Sequence, residues 1–268
     1  MSAPSVLPGS VARVPRFGAR HVFERNVLSQ RRQWLAVVSG FFEPLFYLLS
    51  LTVGVSRLVG PLPGPDGRPI SYQAFVAPAM LAASAMNGAI TDGSFNFYMK
   101  LRHAKVFHAI RATPIGPLDI ALAEVASSMA RGGGYAVAFL AIMGGMGLLD
   151  SWWAVLALPA ALLVGLAFAA IAIAATTFVT QWVQLEWVML LQLPIFLFSG
   201  TFYPLSRYSE SVRPLVEISP LYHGVALLRG LTTGAVGPGL WWHVVALFGF
   251  GALGLVVAAR RLSRILVD

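Results

Sequence analysis

Five ionisable side chains stand within long apolar stretches of the sequence: Glu43, Asp92, Glu124, Arg131 and Glu186. A charge at the centre of a membrane helix costs about 2.5–3.5 kcal/mol, so each should face a partner charge or a polar cavity. One interpretation places Glu43, Asp92 and Glu186 along a polar path for a solute, here called the translocation seam. The alternative is ion pairing between helices or, for Asp92 and Glu186, proximity to the inner membrane surface.

Glu124 and Arg131 are seven residues apart, which places them on one helical face, two turns apart. At this spacing the two side chains are too far apart for direct contact, unless both reach a group that lies between them. Other chemistry has little support, because His103 and His108 are five residues apart and no cysteine is present to complete a metal site. No nucleophile stands beside a base, so the sequence predicts no catalytic residue, no metal site and no cofactor in this chain.

The elements that position these charges are six apolar segments. A helix of about 20 mostly apolar residues crosses the hydrocarbon core of a bilayer, and helices satisfy their own backbone hydrogen bonds there. The sequence therefore predicts an all-α integral membrane protein with six transmembrane helices. The six segments are Trp34–Val55, Phe75–Phe97, Leu118–Leu149, Trp153–Val179, Val183–Phe198 and Leu240–Ala259.

Composition supports the same fold class. The chain is 57% hydrophobic and 11% charged, whereas soluble domains are about 25% charged. Its 19 basic residues outnumber the 11 acidic ones, but they cluster at segment ends, where they orient helices and meet anionic lipid. We therefore expect the lipid bilayer, and not nucleic acid, as the partner of these charges.

Three basic clusters predict the topology. Positive loops stay in the cytoplasm, so both termini and the connection after the second segment are expected there. Both termini inside requires an even number of spans, which six satisfies. The clusters are Arg13, Arg16, Arg20, Arg25, Arg31 and Arg32; Lys100, Arg102, Lys105 and Arg111; and Arg260, Arg261 and Arg264.

Two regions outside the spans have predicted structure. Residues 214–233 are apolar, but Glu217 and Pro220 would be costly or helix-breaking in lipid. The region 199–239 is therefore predicted to be an external re-entrant helical hairpin between helices 5 and 6. Pro15–Gln33 has a loosely amphipathic pattern typical of an N-terminal interfacial helix, with a disordered basic tail as the alternative.

The connection 98–117 mixes four cations with apolar side chains. A short helix there would offer Phe107 and Ile110, together with the charges, to a cytoplasmic partner, since a solvated loop has little use for such apolar groups. The alternative is an ordinary positive loop that only holds the topology.

Two stretches resemble the ABC-2-type permeases of ATP-driven transporters. SFNFYMKLRHAKVFHAIRATPIGPLDIALAE (Ser94–Glu124) resembles their second-helix exit, coupling helix and third-helix entry. SGTFYPLSRYSESVRPLVEISPLYHGVALLRGL (Ser199–Leu231) is similar to their external signature, and the branch it resembles most is that of nodulation-type lipo-oligosaccharide and daunorubicin-resistance-type exporters. Relatives commonly carry an acidic residue where Asn96 stands and a Leu-Pro pair near residues 207–210.

The resemblance implies a permease subunit that exports an amphipathic substrate: a lipid-linked oligosaccharide, a lipid-like metabolite or a drug. A second permease subunit and two copies of a separate P-loop ATPase, which binds ATP and Mg, are the implied partners. The sequence agrees, because its only lysines, Lys100 and Lys105, do not stand in a Gly-x-x-x-x-Gly-Lys-Ser/Thr loop. The implied ATPase-coupling residues are Lys100, Arg102, Lys105, Phe107, Ile110 and Arg111, and the implied external gate is Phe202, Tyr203, Pro204, Pro220, His223 and Arg229.

The predicted organisation is a cytoplasmic segment, 1–33, a transmembrane domain, 34–262, and a short cytoplasmic tail, 263–268. A secondary transporter or channel that works without ATP is the alternative function. Such proteins often show paired half-repeats and interrupted helices, which are not visible in this sequence.

Overall fold

The computed structural model describes residues 18–31, 34–104, 106–107 and 115–267. These residues form a bundle of helices with short connections. The helices are α1 (Gly18–Arg31), α2 (Trp34–Gly54), α3 (Ser56–Val59), α4 (Tyr72–Thr91), α5 (Pro117–Gly145), α6 (Ala157–Thr176), α7 (Leu185–Leu197), α8 (Arg213–Ile218), α9 (Pro220–Thr233) and α10 (Leu240–Val267).

Hydropathy explains the long helices. Among the described residues, four helices are long and apolar enough to cross a membrane, and two shorter apolar helices accompany them. The chain is therefore a helical, multi-pass membrane protein, as predicted. The four are Tyr72–His103, Pro117–Gly145, Trp152–Thr176 and Leu240–Leu266, and the shorter two are Phe42–Gly54 and Trp182–Leu197.

A small β-ribbon connects α3 to α4. Strand β1 (Leu62–Pro63) pairs antiparallel with β2 (Pro69–Ile70), and Leu62 lies opposite Ile70. Ser71 then caps α4, because its hydroxyl accepts a hydrogen bond from the Ala74 amide at 3.2 Å.

Helix α4 is the centre of the bundle. It packs against α2, α5, α6 and α9, and its apolar window is 94% buried. The helix does not end at Phe97 as predicted. It continues through two π-helical turns, Asp92–Asn96 and Met99–His103. The start of the predicted coupling helix, 98–117, is thus an extension of α4, and residues 108–114 lie outside the described residues.

The bundle has two ends with different chemistry. At one, here called the basic end, the Arg102 guanidinium donates to the Val179 carbonyl at 3.2 Å, and Arg261 lies over the Phe178 ring. The other, the hairpin end, joins the start of α4 to α8 and α9. Helix α10 reaches the basic end and extends to Val267, eight residues beyond its predicted end at Ala259, so Arg264 is helical.

Helix α1 lies in the segment predicted to hold an N-terminal interfacial helix, and the region 199–239 contains the short helices α8 and α9. Helix α1 packs against α5 and buries Val22. Helix α9 begins with Pro220 at its first turn and ends at Gly234, whose φ of 80° is left-handed.

Two glycines let α4 and α5 cross closely. A Cβ added to Gly88 would lie 2.9 Å from the Gly132 Cα, and a Cβ added to Gly132 would lie 2.8 Å from the Ala85 carbonyl oxygen. Both neighbouring atoms are backbone, so neither can move aside cheaply. Small residues permit this close packing where lipid supplies no hydrophobic force between helices.

We predict that Gly132→Ala destabilises the bundle by about 1–3 kcal/mol, because the added methyl overpacks the crossing. The matched control is Gly134→Ala on the same helix, where a Cβ would meet nothing within 4 Å. That control should be neutral or slightly stabilising, because alanine favours helix more than glycine does. Thermal unfolding of the two purified variants in detergent compares them, and equal melting temperatures would contradict the predicted crossing.

Candidate functional site

A buried ion pair joins α4 to α5 in the middle of the bundle. Arg131 on α5 approaches Asp92, at the first π turn of α4, with 3.1 Å between Nη2 and Oδ1, and both side chains are at most 3% exposed. The Ser128 hydroxyl donates to the other carboxylate oxygen of Asp92 at 3.0 Å, and Asn96 donates from the same π turn. A buried charge is tolerated only when it is paired and hydrogen-bonded, as this carboxylate is.

A second ion pair lies nearer the basic end. The Lys100 ammonium is 2.6 Å from Oε2 of Glu124, whose side chain is 2% exposed. The Asn26 amide of α1 donates to Oε1 of Glu124 at 2.8 Å and to the Ser127 hydroxyl at 2.9 Å. Both carboxylate oxygens of Glu124 therefore have a charged or polar donor. Glu124 and Arg131 lie on one face of α5 but have different partners on α4 and its extension: Lys100 for Glu124 and Asp92 for Arg131.

The two pairs form what we call the charge ladder: Asp92–Arg131 and Lys100–Glu124. Eight residues separate its two members on α4, and seven separate those on α5. In an uninterrupted α-helix, eight residues turn about 800°, which leaves the two side chains about 80° apart around the axis. A π turn takes up one extra residue and so brings Lys100 back to the face of Asp92. The ladder therefore depends on the π-helical geometry.

The ladder also fixes how α4 and α5 align. Its acid stands on α4 in one pair and on α5 in the other. A shift of the helices by the ladder spacing would bring Asp92 to Glu124, or Lys100 to Arg131. Either would place like charges together in a buried setting, which disfavours the alternative register.

The predicted coupling residues have different surroundings. Lys100 and Arg102 contact other parts of this chain, through Glu124 and the Val179 carbonyl. Phe107, which is expected from the sequence to offer an apolar contact to a cytoplasmic partner, is fully buried in this chain, and its ring packs against Phe97 with centroids 5.4 Å apart. Phe107 instead anchors the start of the connection to the core. Lys105, Ile110 and Arg111 lie outside the described residues.

Of the three predicted seam residues, the structure places only Glu43 beside a polar groove. The groove lies between α2, α4 and α7, has a volume of about 190 Å³ and contains Asn87 and Gln192. Asp92 is instead buried in the charge ladder, because Arg131 and Ser128 satisfy it there. Glu186 is exposed at the start of α7 and does not line this groove.

Asn87 and Gln192 were not singled out in the sequence. The Gln192 amide donates to the Asn87 carbonyl oxygen across α7 and α4. Among the described residues, the Asn87 amide nitrogen and the Gln192 amide oxygen form no further hydrogen bond, so both can face the groove that Glu43 also lines. The rings of Tyr47 and Phe196 lie 5.6 Å apart at the same groove. The sequence does mark these two residues, because each amide side chain stands within an otherwise apolar run.

Arg229 fastens the predicted external gate to the bundle. Its guanidinium donates to the Phe75 carbonyl at 3.0 Å and to the Gly200 carbonyl at 2.9 Å, and it lies 3.6 Å from the centroid of the Phe75 ring. Burial lowers the pKa of Arg229 to about 9, which leaves it protonated at neutral pH. Three segments, α9, the start of α4 and the turn after α7, therefore meet at one buried cation.

Two further gate residues, Phe202 and Tyr203, pack against aromatic rings. Phe202 packs edge-on against Phe196, and exposed Tyr203 packs on Tyr208 with ring centroids 4.8 Å apart. Burial raises the pKa of Tyr208 to about 12, so its phenol stays neutral. Pro204 and Pro220 are half-buried where the chain changes direction.

A histidine pair joins the hairpin to α10. Nδ1 of His223 lies 2.8 Å from Nδ1 of His243, so one ring donates and the other accepts. Burial lowers the pKa of His223, which favours the neutral ring needed for this contact. The sequence alone points to His223 but not to its partner His243, because 20 residues separate the two.

Comparison with known proteins identifies the class. Residues 19–232 match the family described as "ABC-2 type transporter", so the chain belongs to this family and is a membrane transport permease. Permeases of this family generally work with an ATPase subunit.

The similar proteins share one name. The chain is 26% identical over 246 residues to Nodulation protein J of Rhizobium meliloti (strain 1021). This match covers 91% of this chain and 92% of that protein. It is 28% identical over 250 residues to Nodulation protein J of Sinorhizobium fredii (strain NBRC 101917 / NGR234), with coverage of 92% and 93%. For the protein of that name from Bradyrhizobium diazoefficiens, the identity is 30% over 254 residues, with coverage of 91% and 93%.

We predict that Arg131→Met lowers the free energy of unfolding by about 3–5 kcal/mol, because it leaves the Asp92 carboxylate buried without its cation. The double variant Asp92→Leu with Arg131→Met should cost less than the sum of the two single changes. Denaturation of the purified variants in detergent measures these differences.

The control is Arg68→Met, which removes the partner of Asp66 from an exposed pair with a separation of 3.4 Å. Such pairs contribute about 0–1 kcal/mol. If Arg131→Met were as mild as Arg68→Met, the Asp92–Arg131 pair would not stabilise the bundle.

Proposed function

We propose that the chain is the permease subunit of an ATP-driven exporter in the bacterial plasma membrane, powered by a separate ATPase that binds ATP and Mg. The family match over residues 19–232 carries this proposal. A dimer of permease subunits with two ATPase subunits is the arrangement we infer. The substrate is amphipathic, and the name shared by the similar proteins, Nodulation protein J, favours the lipo-oligosaccharide class over drugs.

The proposed topology has six spans and both termini in the cytoplasm. The proposed spans are the six apolar helices α2, α4, α5, α6, α7 and α10, and an even number of crossings leaves both termini on one side of the membrane. The basic end carries α1, the α4 extension and the arginines of α10, as a cytoplasmic face should. The hairpin α8–α9 then enters the outer leaflet from outside, and its irregular backbone is covered by α4 and α10.

The proposed path for the substrate follows the groove of Glu43, Asn87 and Gln192. Polar groups in a membrane helix bundle mark solute pathways, because they are costly unless they face a partner or water. Movement of the ATPase reaches this groove through the connection 98–117, and the hairpin held by Arg229 closes its outer end.

Affinity purification of the chain from its native locus in mild detergent tests the proposal. We expect a P-loop ATPase to co-purify with the wild type and to be lost in Arg111→Glu, because reversing a charge in the connection 98–117 disrupts its docking surface. The matched control is Arg68→Glu, an exposed charge reversal in the turn between β1 and β2, which should retain the ATPase.

Retention of the ATPase by Arg111→Glu would show that the coupling surface lies elsewhere. Absence of any ATPase from the folded wild-type preparation would overturn the proposal and favour a transporter that works without ATP.

A further inference from the structure

Glu124 is a buried carboxylate held by donors from two different elements. Asn26 of α1 donates to one oxygen, and Lys100 of the α4 extension donates to the other, while Glu124 itself belongs to α5. Arg25 adds a guanidinium 3.9 Å from Oε1. Three segments that are distant in sequence therefore converge on a single side chain that is 2% exposed.

The contacts of α1 make this convergence specific. Arg20 and Glu24 pair with each other on its exposed face. Among the described residues, the hydrogen bonds between an α1 side chain and another helix run from Asn26, to Glu124 and Ser127. Asn26 is 2% exposed and its carbonyl oxygen accepts from Arg25, so its orientation is fixed.

The contact with Lys100 joins the same carboxylate to the start of the connection 98–117. Lys100 lies in the second π turn, three residues before the end of the α4 extension at His103. A displacement of this extension would pull the ammonium away from a carboxylate that is buried in the bundle. Low local dielectric makes such a separation unfavourable, so the extension, α1 and α5 are expected to move together.

We propose that Glu124 is a positioning residue that couples the ATPase-facing extension of α4 to α1 and α5, so that the three helices shift as one body when the ATPase changes state. This inference rests on the proposed function. It predicts that loss of the carboxylate leaves assembly and ATP hydrolysis in place while the transmembrane groove stops responding to nucleotide.

The test uses the complex of the chain with its ATPase in lipid nanodiscs. A single cysteine is introduced by Leu193→Cys, because Leu193 lines the groove and is 53% exposed and the chain has no native cysteine. The rate of maleimide labelling of the permease is measured without nucleotide and after trapping with ATP and vanadate. We expect trapping to change this rate by about five-fold or more in the parent, in the range typical of coupling between sites.

Glu124→Gln keeps the size of the side chain and an oxygen for Asn26 but removes the charge that pairs with Lys100. Lys100→Met removes the same pair from the other side. Each variant should reduce the labelling response to less than about two-fold, and Glu124→Gln should keep the ATPase stoichiometry and hydrolysis rate close to those of the parent. The matched control Glu24→Gln, an exposed acid-to-amide change on α1, should keep the full response.

A full response in Glu124→Gln would overturn the inference. If Glu124→Gln does not fold, Lys100→Met decides, since it leaves the Asn26 contact intact, and a full response in that variant would overturn the inference too. If neither variant folds, Glu124 has an architectural role only, and the inference is wrong. Absence of an ATPase or of any nucleotide response in the parent would instead contradict the proposed function.

Discussion

The structure depends on the pairing of charges that are buried in an apolar bundle. Asp92, Glu124 and Arg131 are each at least nine-tenths buried within a bundle of apolar helices. Isolated, each charge would carry a large desolvation penalty, but pairing and hydrogen bonding offset it. The two ion pairs therefore restrict α4 and α5 to one register, and this register positions the groove on one side of α4 and the hairpin at its end.

The charge ladder also divides the bundle into regions with different tasks. Its Lys100–Glu124 pair lies at the basic end, beside α1 and the extension of α4. Its Asp92–Arg131 pair stabilises the middle of the bundle, close to the glycine crossing of α4 and α5. The groove and the buried cation Arg229 lie beyond it. A movement that starts at the basic end therefore passes through these two ion pairs before it reaches the groove.

The apolar segments and basic clusters predicted most of the helices, because hydropathy and helix length are local properties. The π turns of α4 were not predicted, since no residue type marks an extra residue in a helix. Two side-chain environments also depended on tertiary packing: Phe107 is buried against Phe97, and Asp92 belongs to the ladder and not to the groove. Gln192 pairs with Asn87 across 105 residues, a contact that periodicity in one sequence does not reveal.

Membrane sidedness is the property on which the proposed coupling depends most directly. Since the chain has no cysteine, the single substitutions Arg68→Cys at the hairpin end and Arg264→Cys at the basic end can be probed in spheroplasts with a membrane-impermeant maleimide. We expect Arg68→Cys to be labelled in intact spheroplasts and Arg264→Cys only after the membrane is permeabilised. Labelling of both positions from outside, or of Arg264→Cys alone, would contradict an arrangement in which the basic end faces a cytoplasmic ATPase.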